Sequence, residues 1–138
     1  MKRLFVLLAA LAAAVPLSFQ AMAQEGTLKK IKDSGTITIG HRDASVPFSY
    51  YDDRQQPVGY AMDLCMKVVD AVKRELKMPN LKVNYQLVTS ANRIPLMANG
   101  TIDLECGSTT NNLARQEQVW FTITHFVTAN RWVAKKAS

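Results

Sequence analysis

The chain has 138 residues, with 17 Lys and Arg against 11 Asp and Glu, a formal charge of +6. The positive charges are scattered, with no basic run and no aromatic ladder between them, which argues against a nucleic-acid partner. Setting aside the leader described next leaves 115 residues and a charge of +4, enough for one compact domain and too few for two.

The N-terminus reads as a secretory signal peptide over residues 1–23. Lys2 and Arg3 give a short positive region, Leu4 to Val15 is continuously apolar, and Ala21-Met22-Ala23 is a small-x-small cleavage site. The apolar run is shorter than the ~20 residues a membrane span needs, and Pro16 and Gln20 follow it, so an anchor is the weaker reading. Export to a periplasm, with the signal cleaved after Ala23, is the expectation.

Taken in chain order, Thr27–Asp33 is predicted as a short helix, capped by Thr27 and ended by Gly35. Thr36–His41 alternates as a strand. Val46 to Tyr51 is extended and aromatic, and a polar turn over Asp52 to Pro57 before Val58-Gly59-Tyr60 suggests a small hairpin. Ala61–Leu76 carries the clearest helical stripe, of Leu64, Cys65, Val68, Val69, Val72 and Leu76. Leu81–Val88 is a second strand, with Leu81, Val83, Tyr85 and Leu87 on one apolar face. Pro95 fits a first helical turn, so the next helix begins at about Ser90 to Asn92 and ends near Asn99-Gly100. Ile102, Leu104 and Cys106 mark a third strand, then Gly107 to Asn112 a loop and a helical turn through Arg115. Val119–Phe121 and Phe126–Ala134 read as further strands. Met62, Met66 and Met97 are read as core filler.

Strand, helix, strand, helix, strand is an α/β pattern around a mostly parallel sheet flanked by helices. Ligands of such sheets bind outside the carboxyl ends of the strands. Arg42 follows the first strand, Ser90 and Arg93 the second, and Ser108 to Thr110 the third, with Arg115 beside the next turn. Arg93 also falls at a helix N-terminus, the end that favours anions, which makes sense if an outside carboxylate or phosphate shares the site. Three arginines plus hydroxyls describe a pocket for a ligand with more than one carboxylate.

Other chemistries find no support. His41 and His125 lack metal-ligand spacing and read as structural, so no metal or cofactor is implied. No G-x-S-x-G elbow or phosphate-binding glycine loop occurs. Asp63 and Glu105 are of the right type for an acid–base pair, but nothing in the sequence brings them together. Cys65 and Cys106 are the only cysteines. In an exported chain they suggest a bridge, worth about 3–4 kcal/mol through loop closure; the other reading is two buried thiols.

The segments G-H-R-D-A-S-V-P-F-S-Y, V-G-Y-A-M-D-L, T-S-A-N-R-I-P-L and E-C-G-S-T-T-N-N resemble those of the periplasmic glutamate/aspartate-binding proteins of ABC importers, within the polar-amino-acid solute-binding family. The resemblance runs from about Thr27 to Lys136. It implies a non-enzymatic receptor for L-glutamate or L-aspartate that delivers to a membrane permease. By the same resemblance Arg42, Ser90 and Arg93 hold the side-chain carboxylate, Arg115 with Thr110 clamps the α-carboxylate, and Ser108 receives the α-ammonium. Phe48 is a candidate pocket wall, or simply a core aromatic. Members of the family have two lobes, so residues 24–138 are expected to form a partial N-terminal lobe with the second lobe missing. The alternatives are a remnant with no ligand of its own and an enzyme of the cyclohexadienyl dehydratase type on the same fold.

Overall fold

The computed structural model describes residues 21–129 and 133–136. Residues 1–20, which carry most of the expected signal peptide, lie outside the described residues. Helix α1 spans Ala21–Ser34, and β1 (Thr36–His41) follows directly. The helix starts earlier than expected, so Thr27 lies within it rather than at its cap. The expected cleavage bond Ala23–Gln24 falls in its first turn. Gly35 ends it, donating its N–H to the Ile31 carbonyl at 2.9 Å.

Two small sheets follow. Strands β2 (Ala44–Ser45), β3 (Ser49–Tyr51) and β4 (Pro57–Val58) form an antiparallel sheet that contains the expected hairpin. Strands β5 (Lys82–Leu87) and β6 (Leu104–Cys106) flank β1 in a parallel sheet of order β5-β1-β6. The register sets His41 opposite both Leu87 and Cys106, so all three strands finish at one edge. Helices α2 (Tyr60–Glu75), α3 (Arg93–Ala98) and α4 (Leu113–Gln116) complete the elements.

The core lies between α2 and the parallel sheet, where Ile31, Ile37, Ile39, Met62, Cys65, Val69, Leu81 and Cys106 form one buried cluster. Met66 packs at its margin, and Met97 is half-buried. The buried face of α2 is centred on Met62, Cys65 and Val69, while Val68 is 42% exposed. A disulfide joins Cys65 of α2 to Cys106 of β6, so the bridge sits in the core itself. Gly59 precedes α2 at φ 125, and a Cβ there would lie 2.6 Å from the Phe48 carbonyl oxygen. No larger residue fits that approach.

Two sequence expectations need correction. On β5 only the Leu81 end of the expected apolar face is covered; Tyr85 and Leu87 are exposed, because β5 is an edge strand that the core cluster reaches only at its start. Neither Val119–Phe121 nor the described part of Phe126–Ala134 forms a strand; residues 130–132 lie outside the described residues. Strand propensity needs a neighbouring edge to pair with. Trp120, Ile123, Val127 and Val133 instead stand open to solvent.

Candidate functional site

Each element delivers one component to the carboxyl edge of the parallel sheet. Arg42 follows β1, and its backbone N–H donates to the buried Ser49 Oγ at 2.9 Å, which ties it to β3. Ser90 follows β5, and Arg42 Nη1 donates to Ser90 Oγ at 3.2 Å. The turn between β5 and α3 is locked reciprocally: Thr89 N–H donates to Asn92 Oδ1 at 2.7 Å, and Asn92 N–H to Thr89 Oγ1 at 3.2 Å. This lock sets Arg93 as the first residue of α3. Its own N–H already donates to the Thr89 carbonyl at 3.2 Å, and the helix has six residues. The affinity for anions expected of a helix end therefore rests on the guanidinium.

Arg93 is only 6% exposed, and its Nε and Nη1 are buried with no hydrogen-bond partner among the described residues. An unpaired buried donor costs about 1–3 kcal/mol, more when it is charged. Burial lowers the pKa of Arg93; the nearby Glu105 carboxylate opposes that shift, and the like charges of Arg115 and Arg42 add to it. Three guanidiniums thus lie within Coulomb range of one another. Arg115 is held on α4, whose first turn is capped by Asn112 Oδ1 accepting from Arg115 N–H at 3.0 Å. Its Nη1 donates to the Thr110 carbonyl at 2.8 Å. Ser108 and Thr110 are exposed on the loop after β6.

Phe48 directly precedes β3 and Ser49. It packs edge-on against Phe126 with ring centroids 4.8 Å apart and against Tyr60 at 6.3 Å, in an aromatic cluster with the C-terminal segment. His41 is buried, its Nδ1 3.1 Å from the Arg42 carbonyl and its ring edge-on to Tyr51. His125 packs by its ring on Tyr60, which donates its hydroxyl to the His125 carbonyl at 2.9 Å. Among the described residues no group of three His, Cys, Asp or Glu is placed to hold a metal.

One residue of the cluster, Glu105, was not placed at this site by the sequence reading. Glu105 lies on β6 opposite Gly40, and its Oε1 is buried without a hydrogen-bond partner among the described residues. Burial raises its pKa above the ordinary 4.5; the Thr109 hydroxyl beside it, Arg93, Arg42 and the Gly107 N–H pull the other way. The Thr109 hydroxyl does not meet hydrogen-bond geometry with it. Asp63, the partner type considered for Glu105, is exposed on α2. The available signal was the alternation of β6, which turns Leu104 and Cys106 one way and Glu105 the other.

Residues 37–138 match the model of the bacterial extracellular solute-binding proteins, family 3. The chain belongs to that family. Among curated family 3 relatives, it is 58% identical over 125 residues to the L-glutamate/L-aspartate-binding protein of Pseudomonas aeruginosa, covering 88% of this chain and 41% of that one. It is 53% identical over 116 residues to the glutamate/aspartate import solute-binding protein of Escherichia coli, covering 84% and 38%. The chain thus spans about two fifths of the length of these relatives. Among solved structures, the cysteine-binding protein of Campylobacter jejuni superposes with a TM-score of 0.57 at 32% identity, over 67% of this chain and 36% of that one. Domain 1 of TmArgBP superposes with a TM-score of 0.60 at 23% identity, over 72% and 71%, a likeness of fold. The α/β lobe with its parallel sheet is the architecture these proteins share.

Proposed function

We propose that this chain is the carboxylate-recognising part of a periplasmic receptor for acidic amino acids, serving an ABC-type importer. The observation that carries the reading is the convergence of Arg42, Arg93 and Arg115, with buried Arg93 donors that have no partner among the described residues. A ligand carboxylate supplies the missing acceptor, and a bidentate guanidinium–carboxylate pair in a desolvated site is strong and geometry-selective. In this reading Arg42, Ser90 and Arg93 take the side-chain carboxylate of L-glutamate or L-aspartate. Arg115, already steadied by the Thr110 carbonyl, takes the α-carboxylate with Thr110, Ser108 receives the α-ammonium, and Phe48 forms an apolar wall. The names of the Pseudomonas and Escherichia relatives support the same ligand class.

The reading also places residues 1–23 as a signal cleaved after Ala23 and residues 24–138 as a partial N-terminal lobe. Its activity is binding rather than turnover, and its protein partner is a membrane permease. Titration of the purified chain with L-glutamate in a calorimeter, with L-lysine as control, tests it. Selective binding of L-glutamate with a Kd below about 1 mM, or −4.1 kcal/mol, is the expected result. Arg93→Ala abolishes it while the circular dichroism stays unchanged. A folded wild-type chain that releases no heat with L-glutamate, or binds L-lysine equally well, overturns the proposal.

A further inference from the structure

We propose that Glu105 is a positioning residue of this site: a counter-ion with one buried carboxylate oxygen that holds the Arg93 and Arg42 guanidiniums in place without itself contacting the ligand. Its place in the fold is built around the carboxylate. A Cβ on Gly107 would lie 2.4 Å from Glu105 Oε1 and 3.0 Å from Arg42 Cγ, so only a glycine lets the carboxylate and the Arg42 stem lie against this turn. Opposite Glu105 in the register stands Gly40, whose missing side chain leaves its space to Ile102 and Val88. Helix α3, which begins at Arg93, packs against β6, which carries Glu105. The charged groups acting on Glu105 are Arg93 from α3 and Arg42 from the end of β1, with Arg115 of α4 acting on Arg93 from beyond. His41, the next residue on β1, turns its ring to Tyr51 and Tyr85, and α2 meets β6 through Cys65.

Three guanidiniums gathered with no anion would drive one another apart or out to solvent. Among the described residues Glu105 is the one carboxylate acting on Arg93, and when ionised it reduces the cluster from +3 to +2. L-glutamate, with two carboxylates and one ammonium, lowers the charge of the cluster by one, whereas a neutral amino acid lowers it by none, which favours an acidic amino acid over a single-headed one. An ionised Glu105 also costs stability where it stands, because burial outweighs its favourable neighbours. A group kept at such a cost, and forming no ion pair of its own among the described residues, fits a role in orienting others. The ligand part of this inference rests on the receptor reading above; the orientation of Arg93 does not.

Two readouts keep them apart. In the chain labelled with 15N-arginine, the Nε–Hε resonance of Arg93, assigned by its loss in Arg93→Lys, reports guanidinium order without any ligand. Glu105→Gln is expected to speed its exchange about tenfold while the backbone amide spectrum is retained, and Glu105→Asp to restore much of the protection. Acidification of the wild-type chain shows the same loss as Glu105, whose pKa is raised above the ordinary 4.5 by burial, takes up a proton, which serves if Glu105→Gln fails to fold. In the calorimeter, Glu105→Gln weakens L-glutamate binding about tenfold and narrows its margin over acetate. An Arg93 resonance unaffected by both Glu105→Gln and acidification overturns the positioning role. Wild-type chain that ignores L-glutamate while Arg93 still responds to Glu105 overturns the receptor reading alone.

Discussion

Arg42 and Ser90, 48 residues apart in the chain, meet at 3.2 Å across the carboxyl edge of the parallel sheet. The contact follows from the register, which ends β1 and β5 level at His41 and Leu87 and so carries the next residues of both into the same space. Ser90 is exposed, so its hydroxyl adds little to the fold. Ser90→Ala is expected to change unfolding free energy by no more than about 0.5 kcal/mol. Loss of a hydrogen bond to a charged group costs about 1.5–3 kcal/mol, so L-glutamate affinity should fall at least tenfold by calorimetry. A binding loss matched by an equal loss of stability would instead make Ser90 a structural residue.

Glycines at two positions make an internal control for close approach. Gly107→Ala drives a methyl to 2.4 Å from Glu105 Oε1 and 3.0 Å from Arg42 Cγ, and urea unfolding should show a loss of about 1–3 kcal/mol. Gly26 lies within α1 with nothing within 4 Å of an added Cβ. Gly26→Ala should therefore be neutral or stabilise by up to about 1 kcal/mol through helix propensity. Equal effects at the two sites would show that the Gly107 turn is not tightly packed.

The contrast between what the sequence disclosed and what it hid has a physical basis. Periodicity located α2 and β1 to within a residue or two, because burial on one face leaves a regular trace of Cys65 and Val69, or of Ile37 and Ile39. The rule of strand ends brings Arg42, Ser90 and Arg93 to one edge from the chain order alone. The segment from Val119 onward misled for the same reason: apolar, β-branched residues such as Val119 and Val127 look alike whether or not a partner strand lies beside them. Glu105 stayed hidden because an acidic residue alternating with apolar ones reads as a solvated face. Its burial depends on α3 folding over that face, a relation between segments that no local pattern records. Ser49, fully buried beneath the Arg42 backbone, was invisible on the same ground.

The Cys65–Cys106 bridge closes a separation of 41 residues and ties α2 to an edge strand only three residues long. Its reduction should cost about 3–4 kcal/mol through the loop it releases, read as a lower urea midpoint with and without dithiothreitol. Because β6 carries Glu105 and leads into the loop of Ser108 and Thr110, ligand affinity should fall in parallel. An unchanged midpoint on full reduction would show that packing of the core alone fixes β6 against β1.

Glu105 sets the sign of the pH dependence. Its folded-state pKa is raised above the ordinary 4.5, chiefly by burial, so the native state binds this proton more tightly than the unfolded chain does. Stability attributable to this group is therefore greatest below 4.5, where both states are protonated, and falls as pH rises through the folded-state value. In urea titrations between pH 4.5 and 7.5, Glu105→Gln should flatten that decline and leave the variant more stable than wild type at pH 7.5. Its ligand affinity should be lower at the same pH, because the charge that burdens the fold is the charge that holds Arg93. A Glu105→Gln chain less stable than wild type at pH 7.5 would mean that the attraction of Arg93 and Arg42 outweighs burial, reversing the slope.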